Sequence, residues 1–259
     1  MKIAYIGIDL FFTALESLVE QNCEIAEIFT CKTDNKTEFN VKICEFARKN
    51  GIPCKMTRIT VEDVERLKQK GCKMAVCAGY YFKIPWDAGL PIVNIHPSLL
   101  PVGRGSWPMP QTILRGMEKS GVTFHKIAEG FDTGDILLQR EFLLDKKETL
   151  VGFMNKVYAL IPQMIKELIE NFDSLWVNAL PQSGGEYWEA PTREDITVKA
   201  DMTVREADLI LRAFLGYECY YEDKFEIIGG RAVEGEGVEN TLPLKDGYII
   251  YEKIKGMLK

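Results

Sequence analysis

Lys2-Ile3-Ala4-Tyr5-Ile6-Gly7-Ile8, Glu24-Ile25-Ala26-Glu27-Ile28-Phe29-Thr30 and Met74-Ala75-Val76-Cys77-Ala78 are short apolar runs separated by stretches of helical period. Their length suits buried strands, and the segments between them repeat apolar residues every three to four positions. With further runs at 53–57 and 91–94 the pattern predicts five strands, and helices over 11–21, 38–50 and 61–70. Leu15, Leu18 and Val19 are expected to face inward on the first helix. Strand–helix–strand alternation of this kind builds a parallel sheet with crossover helices. The expected fold class is α/β: a Rossmann-like, mostly parallel sheet with helices on both faces, plus a small C-terminal helix-and-strand subdomain, a reduced barrel-like tail.

Composition excludes several classes. With 259 residues, 46% of them hydrophobic and 27% charged, the chain has the usage of a folded globular protein rather than a disordered one. The longest apolar stretches are strand-sized, far short of the roughly 20 residues that cross a bilayer, so no membrane partner is expected. Residues 1–7 lack the longer apolar region and small-residue cleavage site of a secretory signal, and a cytoplasmic location is expected. Lys plus Arg number 32 against 38 Asp plus Glu, a formal charge of -6, which repels a long polyanion unless basic residues cluster. Seven cysteines, odd in number and without a C-x-x-C pair, suit reduced core thiols better than a disulfide framework or zinc site; no metal is expected.

After residue 94 the regularity stops. The stretch 96–110 is rich in Pro and Gly and reads as a long ordered loop, neither regular helix nor central strand, at the C-terminal end of a parallel strand. Loops in that place carry ligand sites in open α/β sheets. Further strands are expected at 121–127 and 136–142, joined by the turn Glu129-Gly130-Phe131-Asp132-Thr133-Gly134. Thr149 reads as the N-cap of a long helix whose apolar positions are Leu150, Phe153, Met154, Val157, Ile161, Met164, Ile165 and Leu168, kinked at Pro162. The turn-rich Pro181-Gln182-Ser183-Gly184-Gly185 marks a boundary. The expected division is a catalytic domain over 1–180, a linker over 181–200 and a small C-terminal subdomain over 201–259 with one helix near 203–215.

The first strand-to-helix turn, Gly7-Ile8-Asp9-Leu10-Phe11-Phe12, has Gly7 but bulky residues where a dinucleotide fingerprint needs further glycines. A nicotinamide-dependent oxidoreductase is therefore a poor reading, and Phe11 and Phe12 are expected to pack over the sheet edge. The chain has two histidines, His96 and His125, both in irregular or turn-flanking stretches. Asn94 and His96 stand at i and i+2 on a strand end, where an extended backbone points both side chains the same way. An amide and an imidazole so placed can both donate to one oxyanion. They can equally cap a turn and satisfy backbone groups, and the dipeptide alone favours that ordinary role. Asp132, in a Gly-flanked turn, suits either orientation of an imidazole or capping of neighbouring amides.

Four blocks occur in order: Asn94-Ile95-His96-Pro97-Ser98-Leu99-Leu100-Pro101, Gly103-Arg104-Gly105, Gly121-Val122-Thr123-Phe124-His125 and Phe131-Asp132-Thr133-Gly134-Asp135-Ile136. Together they closely resemble the formyltransferase family that uses 10-formyltetrahydrofolate. The likeness extends upstream to Ala78-Gly79-Tyr80 and, weakly, downstream through Pro191-Thr192-Arg193-Glu194-Asp195 and Leu211-Arg212-Ala213-Phe214. It implies a catalytic trio at Asn94, His96 and Asp132, with His125 in a second ring on the substrate side. It also implies that the pterin of 10-formyltetrahydrofolate, the formyl donor, sits against Tyr81, Phe82, Lys83 and Ile84 and the turn of Glu129, Gly130 and Phe131.

Branches of that family differ in the amine they formylate. The purine-biosynthetic branch uses a Gly/Ser-rich loop after the first strand, which this chain lacks. The methionyl-tRNA branch normally carries a basic inserted loop after the second strand and a full C-terminal barrel; residues 30–37 are few and the tail is short, so tRNA is possible but not favoured. The branch acting on nucleotide-linked amino sugars accommodates acidic chains and reduced tails, and it implies a small-molecule acceptor. For such an acceptor Arg104 would pair with phosphate and Trp107 would stack on a ring; a surface ion pair and a core aromatic are equal alternatives. Outside this choice stand hydrolysis of formyltetrahydrofolate by the same trio and a folate-binding module without catalysis.

Overall fold

Each apolar run becomes a strand whose side chains leave water on both faces, as a parallel sheet between helices requires. The computed structural model describes residues 1–237 and 239–256. Its first half alternates β1 (Lys2–Gly7), α1 (Phe12–Glu20), β2 (Glu24–Phe29), α2 (Val41–Lys49), β3 (Cys54–Lys55), α3 (Val61–Gln69), β4 (Met74–Ala78) and β5 (Ile92–His96). Then come α4 (Pro108–Leu114), β6 (Lys119–Lys126), β7 (Ile136–Leu143) and the long α5 (Leu150–Val177). The seven strands are ordered β3-β2-β1-β4-β5-β6-β7. β1 runs parallel to β2 and β4, and β4 parallel to β5, whereas β5 and β6 are antiparallel. The winding direction reverses between β1 and β4, which in open α/β sheets puts the ligand crevice outside the carboxyl ends of the neighbouring strands.

One face of this sheet buries Ala4, Ile6, Phe29, Ala75, Cys77 and Ile92 against Val64 and Leu67 of α3. That helix starts at a reciprocal cap in which Thr60 accepts from the Asp63 amide and Asp63 accepts from the Thr60 amide. Gly7 pairs with Ala78, and a Cβ there would stand 2.4 Å from the Ala78 carbonyl oxygen, so its glycine serves the approach of two strands. Phe11 is buried, and Phe12 meets Phe46 edge-on at 6.1 Å.

Several local expectations are corrected. Val19 is exposed, because the buried face of α1 is centred on Ala14, Leu15 and Leu18 and one further step rotates the side chain about 100° out of it. α2 begins at Val41 rather than 38, since Asp9 reaches over from the first turn and accepts the Lys42 and Ile43 amides at 2.9 and 3.0 Å. Within the stretch expected to be irregular, Pro108 and Pro110 lie in the first turn of α4, where a missing N–H costs nothing. Thr149 caps α5 through the Gly152 amide at 3.0 Å, but the departure from helical dihedrals falls at Asn171 and not at Pro162. Of the cysteines, Cys54 is exposed and Cys44 half-buried; the other five are buried, and all seven are free.

The chain groups into two compact units that do not follow chain order. One holds Met1–Arg104, Gly121–Glu141 and Val157–Glu186; the other holds Gly105–Ser120, Phe142–Lys156 and Tyr187–Lys259. In the second, β8 (Thr197–Val198), α6 (Val204–Ala213), β9 (Cys219–Tyr221), β10 (Phe225–Glu234), β11 (Leu242–Pro243) and β12 (Gly247–Lys255) form a five-stranded sheet ordered β11-β12-β10-β9-β8. α6 buries Ala207, Ile210, Leu211 and Ala213.

Candidate active site

The first unit gathers Asn94, His96, His125 and Asp132. Asn94 and His96 end β5, and the antiparallel register with β6 sets Asn94 opposite His125. Directly opposed residues share a face of the sheet, so amide and imidazole meet: Asn94 Nδ2 lies 3.0 Å from His125 Nε2. His125 Nδ1 is 2.8 Å from the Lys126 carbonyl oxygen. A carbonyl only accepts, so Nδ1 carries the hydrogen and Nε2 accepts from Asn94, which fixes which end of the amide faces the ring. Asn94 Nδ2 also donates to Asp132 Oδ1 at 3.3 Å.

The same reasoning settles His96. Its Nε2 is 2.7 Å from the Gly103 carbonyl oxygen and therefore donates, leaving a lone pair on Nδ1 of the neutral ring, 3.6 Å from Asp132 Oδ1. His96 is 5% exposed. Burial pushes its pKa below the ordinary histidine value; the Asp132 carboxylate and the Gly103 carbonyl oppose that, and His125 adds to it. From sequence His96 is expected to donate to an oxyanion; in this tautomer the neutral ring spends its hydrogen on Gly103 and offers an acceptor instead.

Asp132 arrives from the turn after β6 with a left-handed φ of 54°, which Asp tolerates better than most residues. The turn closes against β6 at Gly134, where a Cβ would lie 1.9 Å from the Lys126 carbonyl oxygen. Asp132 Oδ1 is thus near three groups: the Asn94 amide, His96 Nδ1 and, at 3.5 Å, His125 Nε2.

Asn94, His125 and Asp132 line one part of a cleft whose other walls include Tyr80, Phe82, Ile84, Trp86, Ile127 and Phe131. Lys83, Glu129 and Gly130 line it too. Tyr81 does not; its hydroxyl bonds Glu38. His96 is also outside the lining and meets the cleft through Asp132. Sequence reasoning misses Cys77, Tyr80, Trp86, Ile127 and Ala128 as lining residues. Phe82, Trp86 and Phe131 are 40%, 48% and 53% exposed, and aromatics left so open around a concavity are the physical signal of a ligand surface. Tyr80 is pinned by donating to the Thr57 carbonyl and accepting from the Ile59 amide, both at 3.1 Å, and burial pushes its pKa up to about 12. Burial likewise drives the Cys77 thiol well above its usual range, so it stands in the cleft as a neutral group and no nucleophile.

Of the three residues expected on the acceptor side, His125 lines the cleft, and Arg104 and Trp107 have partners within the chain. Arg104 donates from Nε and Nη2 to Gln182 Oε1 at 3.1 and 2.8 Å. Trp107, in the second unit, meets Tyr217 edge-on at 5.1 Å and Phe214 at 6.3 Å. Among the described residues no group of three or more His, Cys, Asp or Glu is arranged to hold a metal ion, and no helix is long and apolar enough to cross a membrane.

The chain is similar in sequence and fold to known proteins. The family described as formyl transferase matches residues 24–169, more than half of the chain. The chain is 26% identical over 257 residues to the methionyl-tRNA formyltransferase of Fervidobacterium nodosum, covering 94% of this chain and 82% of that one. HypX from Aquifex aeolicus, solved in complex with tetrahydrofolic acid, superposes with a TM-score of 0.74 at 16% identity, over 100% of this chain and 45% of that one. The chain therefore spans less than half the length of HypX. The N-formyltransferase of Helicobacter canadensis, solved with folinic acid and dTDP-3-aminofucose, superposes with a TM-score of 0.69 at 19% identity, over 99% of each chain. At such identities these two structures show a common fold.

Proposed function

The chain belongs to the formyl transferase family, and from that premise we propose that it moves a formyl group from 10-formyltetrahydrofolate to the primary amine of a nucleotide-linked amino sugar. The observation that carries formyl transfer is the meeting of the Asn94 amide, the His96 imidazole and the Asp132 carboxylate beside a cleft with aromatic walls. A flat reduced pterin suits Phe82, Trp86 and Phe131, and Glu129 and Gly130 line the same cleft. That two proteins of the same fold were solved with folates, tetrahydrofolic acid and folinic acid, supports a folate as the donor.

When a neutral amine attacks a formamide carbon, an oxyanion forms and one proton must pass from the attacking to the leaving nitrogen. Asn94, held amine-end forward by His125, donates to the oxyanion in place of its long contact with Asp132. As the new C–N bond forms, the proton leaves the amine by way of Asp132, which lines the cleft, and reaches His96 Nδ1. Asp132 stabilises the imidazolium so produced, and the proton passes on to the folate nitrogen as the old C–N bond breaks. A buried histidine with a lowered pKa is neutral, hence competent to accept, at neutral pH.

The small acceptor is supported by the loop after β2. Residues 30–40 hold Lys32 and Lys36 against Asp34 and Glu38, a formal charge of zero. Asp34 curls this loop by accepting the Lys36, Thr37 and Glu38 amides at 2.9, 3.1 and 3.1 Å. Neutral and closed on itself, it makes a poor arm for a polyanion. Near-complete mutual coverage with the Helicobacter canadensis protein, solved with a nucleotide-linked amino sugar, points the same way. Methionyl-tRNA is the second reading, favoured by the Fervidobacterium nodosum relative.

The test supplies 10-formyltetrahydrofolate with nucleotide-linked amino sugars, with methionyl-tRNA, or with no amine, and follows the tetrahydrofolate released. Turnover that depends on an amino sugar is expected. Turnover on methionyl-tRNA alone would replace the acceptor, and equal turnover without amine would make the protein a hydrolase. Tight donor binding without turnover on any amine would make it a binding module.

A further inference from the structure

Asp132 needs holding. A side-chain-bearing residue with φ near 54° persists where surrounding contacts over-determine it. The contacts come from Gln182, in a segment that sequence assigns to a linker. Its Nε2 donates to the carbonyl oxygens of Asp132 at 2.9 Å and Gly134 at 2.7 Å, so the amide spans the turn with both hydrogens used. Its Oε1 accepts from Arg104 Nε and Nη2 at 3.1 and 2.8 Å. A guanidinium only donates, so Arg104 dictates which end of the Gln182 amide faces the turn. Two residues earlier, Leu180 and Ile136 exchange backbone hydrogen bonds of 2.8 Å each, which anchors the segment where β7 begins. The neighbour of Arg104 is Gly103, whose carbonyl takes the His96 Nε2 hydrogen at 2.7 Å. One dipeptide, Gly103-Arg104, therefore reaches His96 directly and Asp132 through Gln182.

We propose that Gln182 and Arg104 are positioning residues that set the spacing of Asp132 from His96, and that Arg104 does so in place of binding the acceptor. The proposal rests on the formyl-transfer reading for its kinetic consequences and on geometry alone for its effect on His96. A displacement of about 1 Å at a catalytic group can cost on the order of 10²-fold in rate. Loosening the turn also withdraws a carboxylate from an imidazole. The groups that face His96 are Asp132, His125 and the Gly103 carbonyl, and of these the brace moves Asp132.

The chain's two histidines make imidazole NMR a direct readout. His96 and His125 are to be titrated in the wild type, Gln182→Met, Arg104→Met and Asp132→Asn, with kcat and the KM of donor and acceptor measured beside them. In Gln182→Met the His96 midpoint should fall by about one pH unit, the size of a lost neighbouring opposite charge, toward its value in Asp132→Asn. Its kcat should fall roughly 10- to 100-fold with donor KM held within about twofold. Adding Gln182→Met to Asp132→Asn should cost little more, since both act through one carboxylate. Arg104→Met keeps the Gln182 donors and serves as the second variant, with the same directions and a smaller effect. An unmoved His96 midpoint in both variants would overturn the brace, as would losses that multiply with Asp132→Asn. A raised acceptor KM with unchanged kcat in Arg104→Met would return that residue to substrate binding. If the wild type transfers no formyl group while His96 still shifts in Gln182→Met, the brace stands and the assigned reaction falls.

Discussion

Glu27 on β2 and Asp132 in the turn after β6 are both carboxylates sheltered from water, yet their surroundings differ in kind. Glu27 receives Arg66 at 2.6 Å and Lys70 at 2.8 Å, and the adjoining Asp63 receives Lys55 at 2.5 Å and Arg66 at 2.8 Å. Burial by itself would raise both carboxyl pKa values. The hydrogen-bonded cations outweigh it, holding Glu27 below its ordinary range and Asp63 at about 2. Asp132 instead faces an amide and two imidazoles at 3.3 to 3.6 Å. Short bonds to permanent cations fix a carboxylate as ionised and still. Longer contacts to groups that can gain, lose or redirect a hydrogen leave it able to take part in a proton transfer.

The widest break between the two regions is expected in rate. Asn94→Ala should cost about 10² to 10³ in kcat, as loss of one oxyanion donor does, and His96→Ala about 10² to 10⁴. Asp132→Asn should fall in the same range, all three with melting temperatures close to the wild type; a formyl-transfer assay on purified variants checks this. Glu27→Ala should do the reverse. Removing it strands Lys70 and leaves Arg66 with Asp63 alone, and because both cations are partly exposed the loss is about 2 kcal/mol of stability, read by urea unfolding, with kcat per folded molecule unchanged.

Acid should sharpen the contrast by separating the clusters. His96 has a folded pKa below the ordinary value of about 6.5, so on acidification the unfolded chain takes its proton first. Stability from this group is present above that value and declines as pH falls through it. Asp63 is a depressed carboxylate: its contribution is present above the unfolded value of about 3.9 and is lost as pH drops toward about 2. Unfolding measured against pH in the wild type and Asp63→Asn should show the low-pH component shrink in the variant, the part due to Glu27 remaining, while the acid limb of kcat/KM stays below about 6.5 in both. The smallest effect is expected at Thr60→Ala, which removes one half of the α3 cap and should cost about 1 kcal/mol without touching kcat.

Local patterns were legible where one element decided the outcome. β4 occupies the predicted residues 74–78, α3 ends one residue early, and Thr149 caps the helix it was expected to cap. Errors cluster where a distant group intervenes. Asp9 reassigns the start of α2, and no periodicity within 38–50 reveals a carboxylate from 33 residues upstream. Trp86 gives no periodic signal because it sits in a turn, and its meaning comes from the concavity it borders. Gln182 looks like any polar turn residue until its amide is seen spanning two carbonyls of another turn.

The amino acids in their order suffice for an α/β sheet, because strand-sized apolar runs alternating with helical periods have few other ways to leave water, and for aiming Asn94 and His96 alike at a strand end. Tertiary structure alone decided that His125 stands beside Asn94, that the His96 hydrogen goes to Gly103, and that Asp132 comes within reach of all three. Direction along an extended backbone is a local property. Register, tautomer and reach depend on which carbonyl or carboxylate arrives from elsewhere in the chain.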